Sequence, residues 1–308
     1  MRLAFMVPPG NGPGARYARH LADALRAAGH DASITPDPPP GAVPVLDGAL
    51  LPCPVPPGAV ALLHRVPGDG DWDPAAFRLV IATSTAILER LGEAGARAAL
   101  VVPGAETLPR SPGSGGPGCA VLSVGAFTAR KGHAALLRAL ARLADLDWTL
   151  TFAGGMAMAP GHEVEVAALA EALGLAPRVR LVPDPDDAAL DALWRGADLF
   201  ALATGWEGYP AALAEALRRG IPAAVTDAAA MALSPPAGSG QGARWGVSCA
   251  VGDVDGLSKA MRRLIYDRDL RASLAEGAWQ AGQALPGWSA QARRLVAALE
   301  GAVLAGAA

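Results

Sequence analysis

Short apolar runs alternate along the chain with stretches in which apolar residues recur every three to four positions. The first run spans residues 3–7, a length that suits a strand, and the turn-forming segment Pro8-Pro9-Gly10-Asn11-Gly12-Pro13-Gly14 follows it. Tyr17, Leu21 and Leu25 then fall four residues apart, which predicts one face of a helix, and Gly29 stands where that helix would end. Residues 59–63 and 79–82 read as buried strands. Residues 86–91 read as a helix, with Ser84 or Thr85 as its cap.

The pattern breaks between residues 103 and 118. Pro109-Arg110-Ser111-Pro112-Gly113-Ser114-Gly115-Gly116-Pro117-Gly118 is too rich in turn formers to make a packed element and reads as an interdomain linker. Beyond it, predicted strands at 120–124, 148–152, 179–182, 199–203 and 223–225 alternate with predicted helices at 133–143, 163–173, 188–194, 211–218 and 253–264. This alternation predicts an α/β fold with a doubly wound parallel sheet. The expected organisation is an N-terminal domain over 1–108, a linker over 109–118 and a C-terminal domain over 119–285. A C-terminal helix within 286–308 is expected to pack back on the N-terminal domain.

Composition narrows the classes. A chain of 308 residues with 52% hydrophobic and 18% charged residues has material for two cores. Glycine (37) and proline (27) are frequent, yet their sum stays below the roughly 25–30% of low-complexity chains. A net charge of −3 argues against a nucleic-acid partner, which selects a basic domain. Cys53, Cys119 and Cys249 are odd in number and far apart, which fits neither a disulfide framework nor a metal or redox pair. A reducing, cytoplasmic setting is therefore expected. The first apolar run is too short for a signal peptide, and nothing approaches the ~18 apolar residues of a membrane span. Residues 295–308 are apolar but short and contain Glu300. They read as a core-packing terminal helix, the other reading being a helix in peripheral contact with a membrane.

Ligands of an open parallel sheet bind beyond the carboxyl ends of its strands, so the residues just after each strand carry the chemistry. Gly125-Ala126-Phe127-Thr128-Ala129-Arg130-Lys131-Gly132-His133 follows the strand at 120–124 and sets two cations at the mouth of a helix. Free N–H groups and the helix dipole favour anions there, and a diphosphate would fit; a solvated loop is the competing reading. Thr204-Gly205-Trp206-Glu207-Gly208-Tyr209-Pro210 follows the strand at 199–203, and Glu215 lies inside the next helix. Glu207 and Glu215 converging on one crevice would accept hydrogen bonds from the vicinal hydroxyls of a sugar. Separately, they would be a capping acid and a surface glutamate. Gly68-Asp69-Gly70-Asp71-Trp72-Asp73 imitates a metal loop, but Pro74 and Val80 stand where such a loop needs glycine and glutamate, which leaves a solvated turn and no expected metal site. Gly10-x-Gly12-x-x-Ala15 meets a relaxed dinucleotide fingerprint, the whole support for a nicotinamide-dependent oxidoreductase, and Pro8 and Pro9 separate it from its strand.

The order of landmarks over roughly residues 119–290 resembles retaining glycosyltransferase family 4, the glycogen-synthase-like group 1 glycosyltransferases. Val124-Gly125 comes first with Arg130-Lys131-Gly132, then Phe152-Ala153-Gly154, Leu173-Gly174-Leu175 with Val179, and Ala197-Asp198-Leu199-Phe200. Glu207-Gly208-Tyr209, Glu215-Ala216-Leu217, Gly220-Ile221-Pro222 and Gly252-Asp253 complete it. The resemblance implies a GT-B fold, two Rossmann-like doubly wound parallel-sheet domains facing a central cleft, with a nucleotide-sugar donor on the C-terminal domain. It implies that Lys131 and Arg130 hold the donor diphosphate, Glu215 the ribose, and Glu207 the hydroxyls of the transferred hexose. Amides around Gly208 and Tyr209 would add donor contacts, the base would lie near Val182 and Leu190, and Gly12 and Gly14 would approach the phosphates or the acceptor. His64 resembles a family histidine that faces the donor sugar. Transfer would retain anomeric configuration through same-face attack, with no protein nucleophile, no metal and no cofactor, onto a small-molecule, glycan or lipid-linked acceptor.

Three positions depart from the family pattern. Ala126 stands for a common arginine, Pro210 for a glycine whose N–H would meet phosphate, and Ala228-Ala229-Ala230-Met231 for a glycine-rich turn. The N-terminal half is also short for the family. These departures support the alternative of a catalytically weak or inactive glycosyltransferase-like protein that binds a nucleotide or a partner.

Overall fold

The computed structural model describes the chain except residues 11–12, 66–67, 69–71, 234–243 and 305–308. The chain forms two compact units, Met1–Glu106 with Pro286–Ala308, and Thr107–Leu285.

The first unit is built on β1 (Arg2–Met6), whose Leu3, Ala4 and Phe5 are fully buried, as expected of a parallel strand covered on both faces. α1 (Pro13–Ala27) starts on a proline, which suits a first turn, and buries Tyr17, Ala18, Leu21, Ala22 and Leu25 against the sheet. β2 (Asp31–Ile34), β3 (Val43–Asp47), β4 (Val60–Leu63) and β5 (Leu79–Ala82) follow. α2 (Thr85–Glu93) is capped by Ser84, which accepts from the N–H of Ile87 at 3.3 Å, and β6 (Ala98–Leu100) ends the sheet. The strands are parallel in the order β2-β1-β3-β4-β5-β6, so the winding reverses between β1 and β3.

The second unit contains β7 (Cys119–Val124), α3 (His133–Ala141), β8 (Trp148–Gly154), α4 (His162–Ala172), β9 (Val179–Pro183) and α5 (Asp187–Arg195). β10 (Leu199–Leu202), α6 (Ala211–Arg218), β11 (Ala223–Thr226), α7 (Asp227–Leu233), β12 (Gly246–Cys249), α8 (Val254–Tyr266) and α9 (Arg268–Ala284) complete it. Its sheet is parallel in the order β12-β11-β10-β7-β8-β9, the doubly wound Rossmann order, and the winding reverses between β7 and β10. Phe127, Leu136, Leu140, Trp148 and Phe152 fill the core on one side, and Trp194, Phe200, Leu213 and Leu217 belong to a second cluster.

Residues 109–118 contain no helix or strand, yet side chains tie them to the second unit. Ser111 Oγ lies 3.0 Å from the carbonyl of Trp194 and 2.9 Å from that of Arg195, and Ser114 donates through N and Oγ to Asp198. Where the sequence has alanines in place of a glycine-rich turn, α7 begins directly after β11. α10 (Trp288–Leu304) belongs to the first unit and sets Ala292, Leu295, Leu299 and Ala302 into the core that α1 lines, so its apolar stripe is used inside the protein. No described helix is long and apolar enough to cross a membrane.

Candidate functional site

In the second unit the loops after β7 and β10 lie side by side at the point where the winding reverses, which is where such sheets bind ligands. Local chemistry locks these two loops together. Gly132 has φ +74°, and a Cβ on it would stand 1.9 Å from the carbonyl oxygen of Ala203, so glycine is required on both counts. The N–H of Gly205 donates to the carbonyl of Arg130 at 2.9 Å. Thr204 Oγ1 lies 2.9 Å from the carbonyl of Trp206, and Thr226 Oγ1 donates to the carbonyl of Thr204 at 2.6 Å, which fastens β11 to the same point.

Three sequence-predicted residues meet there. Lys131 Nζ is 2.5 Å from Glu207 Oε1, and Arg130 Nη1 is 3.5 Å from the same oxygen. Glu207 is 6% exposed, whereas the Arg130 side chain is 40% exposed, donates to the carbonyl of Trp206 and lies over its ring. One buried acid thus faces two cations, a cluster with a formal surplus of one positive charge. The Lys131 stem runs over Gly125, where a Cβ would come within 3.1 Å of it. α3 opens just beyond at His133 with no side-chain cap, so its first N–H groups and the two cations favour an anion together.

Glu215 takes a different partner. Its Oε1 accepts from Nε and Nη2 of Arg219 at 3.2 and 3.1 Å, while Arg219 Nη1 donates to Asp191 at 2.8 Å. Arg219 is buried over the Trp194 ring and fixes one edge of the Glu215 carboxylate. Val182 and Leu190 both pack on the cluster around Trp194 and Phe200. Gly208 is buried and Tyr209 half-buried; burial pushes the Tyr209 phenol up to about 12, with Arg218 opposing the shift. Behind the cationic loop, burial pushes the His133 imidazole down to about 4, helped by the charges of His162 and Lys131. The ring stacks on Phe127 and meets Phe152 edge-on, a core position that the sequence did not single out.

The first unit carries a second constellation at its own reversal point. His64 follows β4, Asp47 ends β3, and Gly14 is the second residue of α1. His64 Nε2 is 3.7 Å from Asp47 Oδ2, and a Cβ on Gly14 would stand 2.0 Å from that oxygen. Burial lowers the pKa of His64, and Asp47 pulls it partly back. Asp47 went unrecognised in the sequence because an acid at a strand end gains meaning only beside its neighbour. Gly12 lies outside the described residues. Residues 69–71 of the metal-loop look-alike do too; the described Asp73 accepts from the N–H of Ala75, as a cap does. Among the described residues, no three His, Cys, Asp or Glu side chains gather as metal ligands would.

Two parallel six-stranded Rossmann-like sheets, together with the solved structures they resemble, define a protein of the GT-B class. The sequence model of the glycosyl transferases group 1 family matches residues 106–280, more than half of the chain, and the chain belongs to that family. Sucrose-phosphate synthase from Thermosynechococcus elongatus is similar in structure, with TM-score 0.78 and 17% identity over 99% of this chain and 100% of that one. HepE of Anabaena, solved in complex with UDP-glucose, gives TM-score 0.76 and 17% identity over 98% of this chain and 100% of its own. WaaG, a glycosyltransferase involved in lipopolysaccharide biosynthesis, gives TM-score 0.72 and 18% identity over 96% and 98% of the two chains. At these identities the likeness speaks to the fold. No curated protein sequence matches the chain.

Proposed function

We propose that this group 1 glycosyltransferase moves a hexosyl group from a nucleoside-diphosphate sugar to an acceptor hydroxyl, with retention of anomeric configuration. The observation that carries the reading is the Lys131–Glu207 contact of 2.5 Å where the sheet of the second unit reverses its winding. Without ligand the two side chains neutralise each other. A diphosphate draws Lys131 and Arg130 to itself and releases Glu207 to accept hydrogen bonds from hydroxyls of the sugar. Breaking the anomeric bond puts negative charge on the leaving diphosphate, and the two cations with the first N–H groups of α3 stabilise that charge in place. This assigns the neutralising role to side chains, so the reaction as read here calls for no metal and no cofactor.

Glu215 is assigned the ribose: a carboxylate has about four acceptor positions, and Arg219 orients the group from one edge. Val182 and Leu190 are assigned the base, amides at Gly208 and Tyr209 further donor contacts, Gly12 and Gly14 the phosphates or acceptor, and His64 a hydroxyl of the sugar. The UDP-glucose complex of HepE makes UDP-glucose the first donor to test. A thermal-stability screen against UDP-, GDP-, ADP- and TDP-sugars should select one nucleotide. Proton NMR of the released or transferred sugar should then give the α-anomer first from an α-linked donor. A β-anomer as first product would refute retention. Donor-dependent stabilisation with no sugar released or transferred would favour the nucleotide-binding alternative that Ala126 and Pro210 support.

A further inference from the structure

Asp47 has two carboxylate oxygens with different fates. Oδ1 accepts from the N–H of Ala49 at 2.8 Å and caps the short 3-10 turn Gly48–Leu50. That structural task uses one oxygen. Oδ2 is buried with no hydrogen-bond partner, and the atom set against it, His64 Nε2, is buried with none either. They stand 3.7 Å apart, and the side chains are 3% and 25% exposed. Nε2 is buried toward the carboxylate and Cδ2 lies 3.4 Å from where a Cβ on Gly14 would be, while a quarter of the His64 side chain is exposed; Nδ1 lies on the opposite edge of the ring. Gly14 also brings the start of α1 against Oδ2, where the helix dipole favours a negative charge.

We infer that Asp47 is a positioning residue for transfer: its carboxylate, seated at the start of α1, keeps the His64 proton on Nε2 and leaves Nδ1 as a hydrogen-bond acceptor for a substrate hydroxyl. This rests on the assignment of His64 to the sugar. A buried carboxylate oxygen without a donor is costly, and a shift of under about one ångström brings Nε2–H into hydrogen-bond range of it. A neutral imidazole takes the tautomer that its second-shell partner dictates. Among the described residues, Asp47 from β3 and Tyr17 from α1 stand against the ring; the Tyr17 ring lies edge-on at 5.1 Å, and its hydroxyl donates to the carbonyl of Val101.

The tautomer can be read directly from two-bond ¹H–¹⁵N spectra of the full-length labelled protein, with His64→Gln to assign the ring. Nε2–H is expected in the wild type. In Asp47→Asn, Oδ1 still caps Ala49 while an amide NH₂ faces Nε2, so the tautomer should turn to Nδ1–H. UDP-glucose hydrolysis should then fall in kcat by about tenfold to a hundredfold, with KM for UDP-glucose within about twofold. A wild-type ring carrying its proton on Nδ1 overturns the inference, whether or not the variant folds. So does an Asp47→Asn protein that hydrolyses UDP-glucose at the wild-type rate. If the wild type releases no sugar, the reading of UDP-glucose as donor fails, and the spectra still decide the role of Asp47.

Discussion

Glu207 is the residue on which the proposed chemistry turns, because it is a buried acid that meets both Arg130 and Lys131. Glu207→Gln keeps the shape and removes the charge assigned to the sugar hydroxyls. Turnover should fall by about tenfold to a hundredfold while UDP affinity stays level or rises, since Lys131 loses its competing partner. Full turnover in the variant would remove Glu207 from the reaction. His133 sets the second residue-scale test. Its native pKa of about 4 lies below the ordinary 6.5, so the native ring stays neutral where the unfolded chain takes up a proton. Stability should therefore fall as pH drops from about 6.5 to 4, by at most about 3 kcal/mol for this group. His133→Phe should flatten that part of the melting-temperature profile; an unchanged slope would mean the ring titrates freely.

At the scale of elements, the site depends on how closely the loops after β7 and β10 approach. Gly132→Ala would drive a methyl into the carbonyl of Ala203 from a left-handed backbone, which should cost roughly 2 kcal/mol or more and loosen nucleotide binding with it. An alanine variant with wild-type melting and affinity would show that the loops part freely. The sequence exposed most of the second unit because each strand carries its own apolar run and each helix its own periodic face. It hid β3, where Pro44 reads as a strand breaker. Pro44 pairs with Ala4 on one side, but the pairing of β3 with β4 begins only at Val45, so the missing N–H falls at the start of the strand. It also hid α9, whose Gly277 and Gly282 weaken the helical signal. Both are needed where the helix meets other backbone, at the carbonyls of Arg244 and Leu217. In the candidate site, Lys131 and Glu207 were legible as residues that follow strands. Their contact, the Arg219 hold on Glu215 and the buried Asp47 arise from three-dimensional neighbours far apart in sequence.

The whole molecule is a chain that leaves its first unit at Glu106 and returns to it at Pro286. α10 thus completes the N-terminal core, with Leu295 and Leu299 buried beside Tyr17 and Leu21. Ending the chain before Pro286 should expose that core and yield an aggregating protein; a monomeric product with wild-type melting would contradict the role of α10. The function proposed for the molecule rests on a charged site that takes up a nucleoside diphosphate. Calorimetric titration of wild type and Lys131→Ala with the nucleoside diphosphate selected by the stability screen tests this most directly. Loss of one charge-assisted contact should weaken binding by about tenfold to a hundredfold. Equal dissociation constants for the two proteins would contradict it.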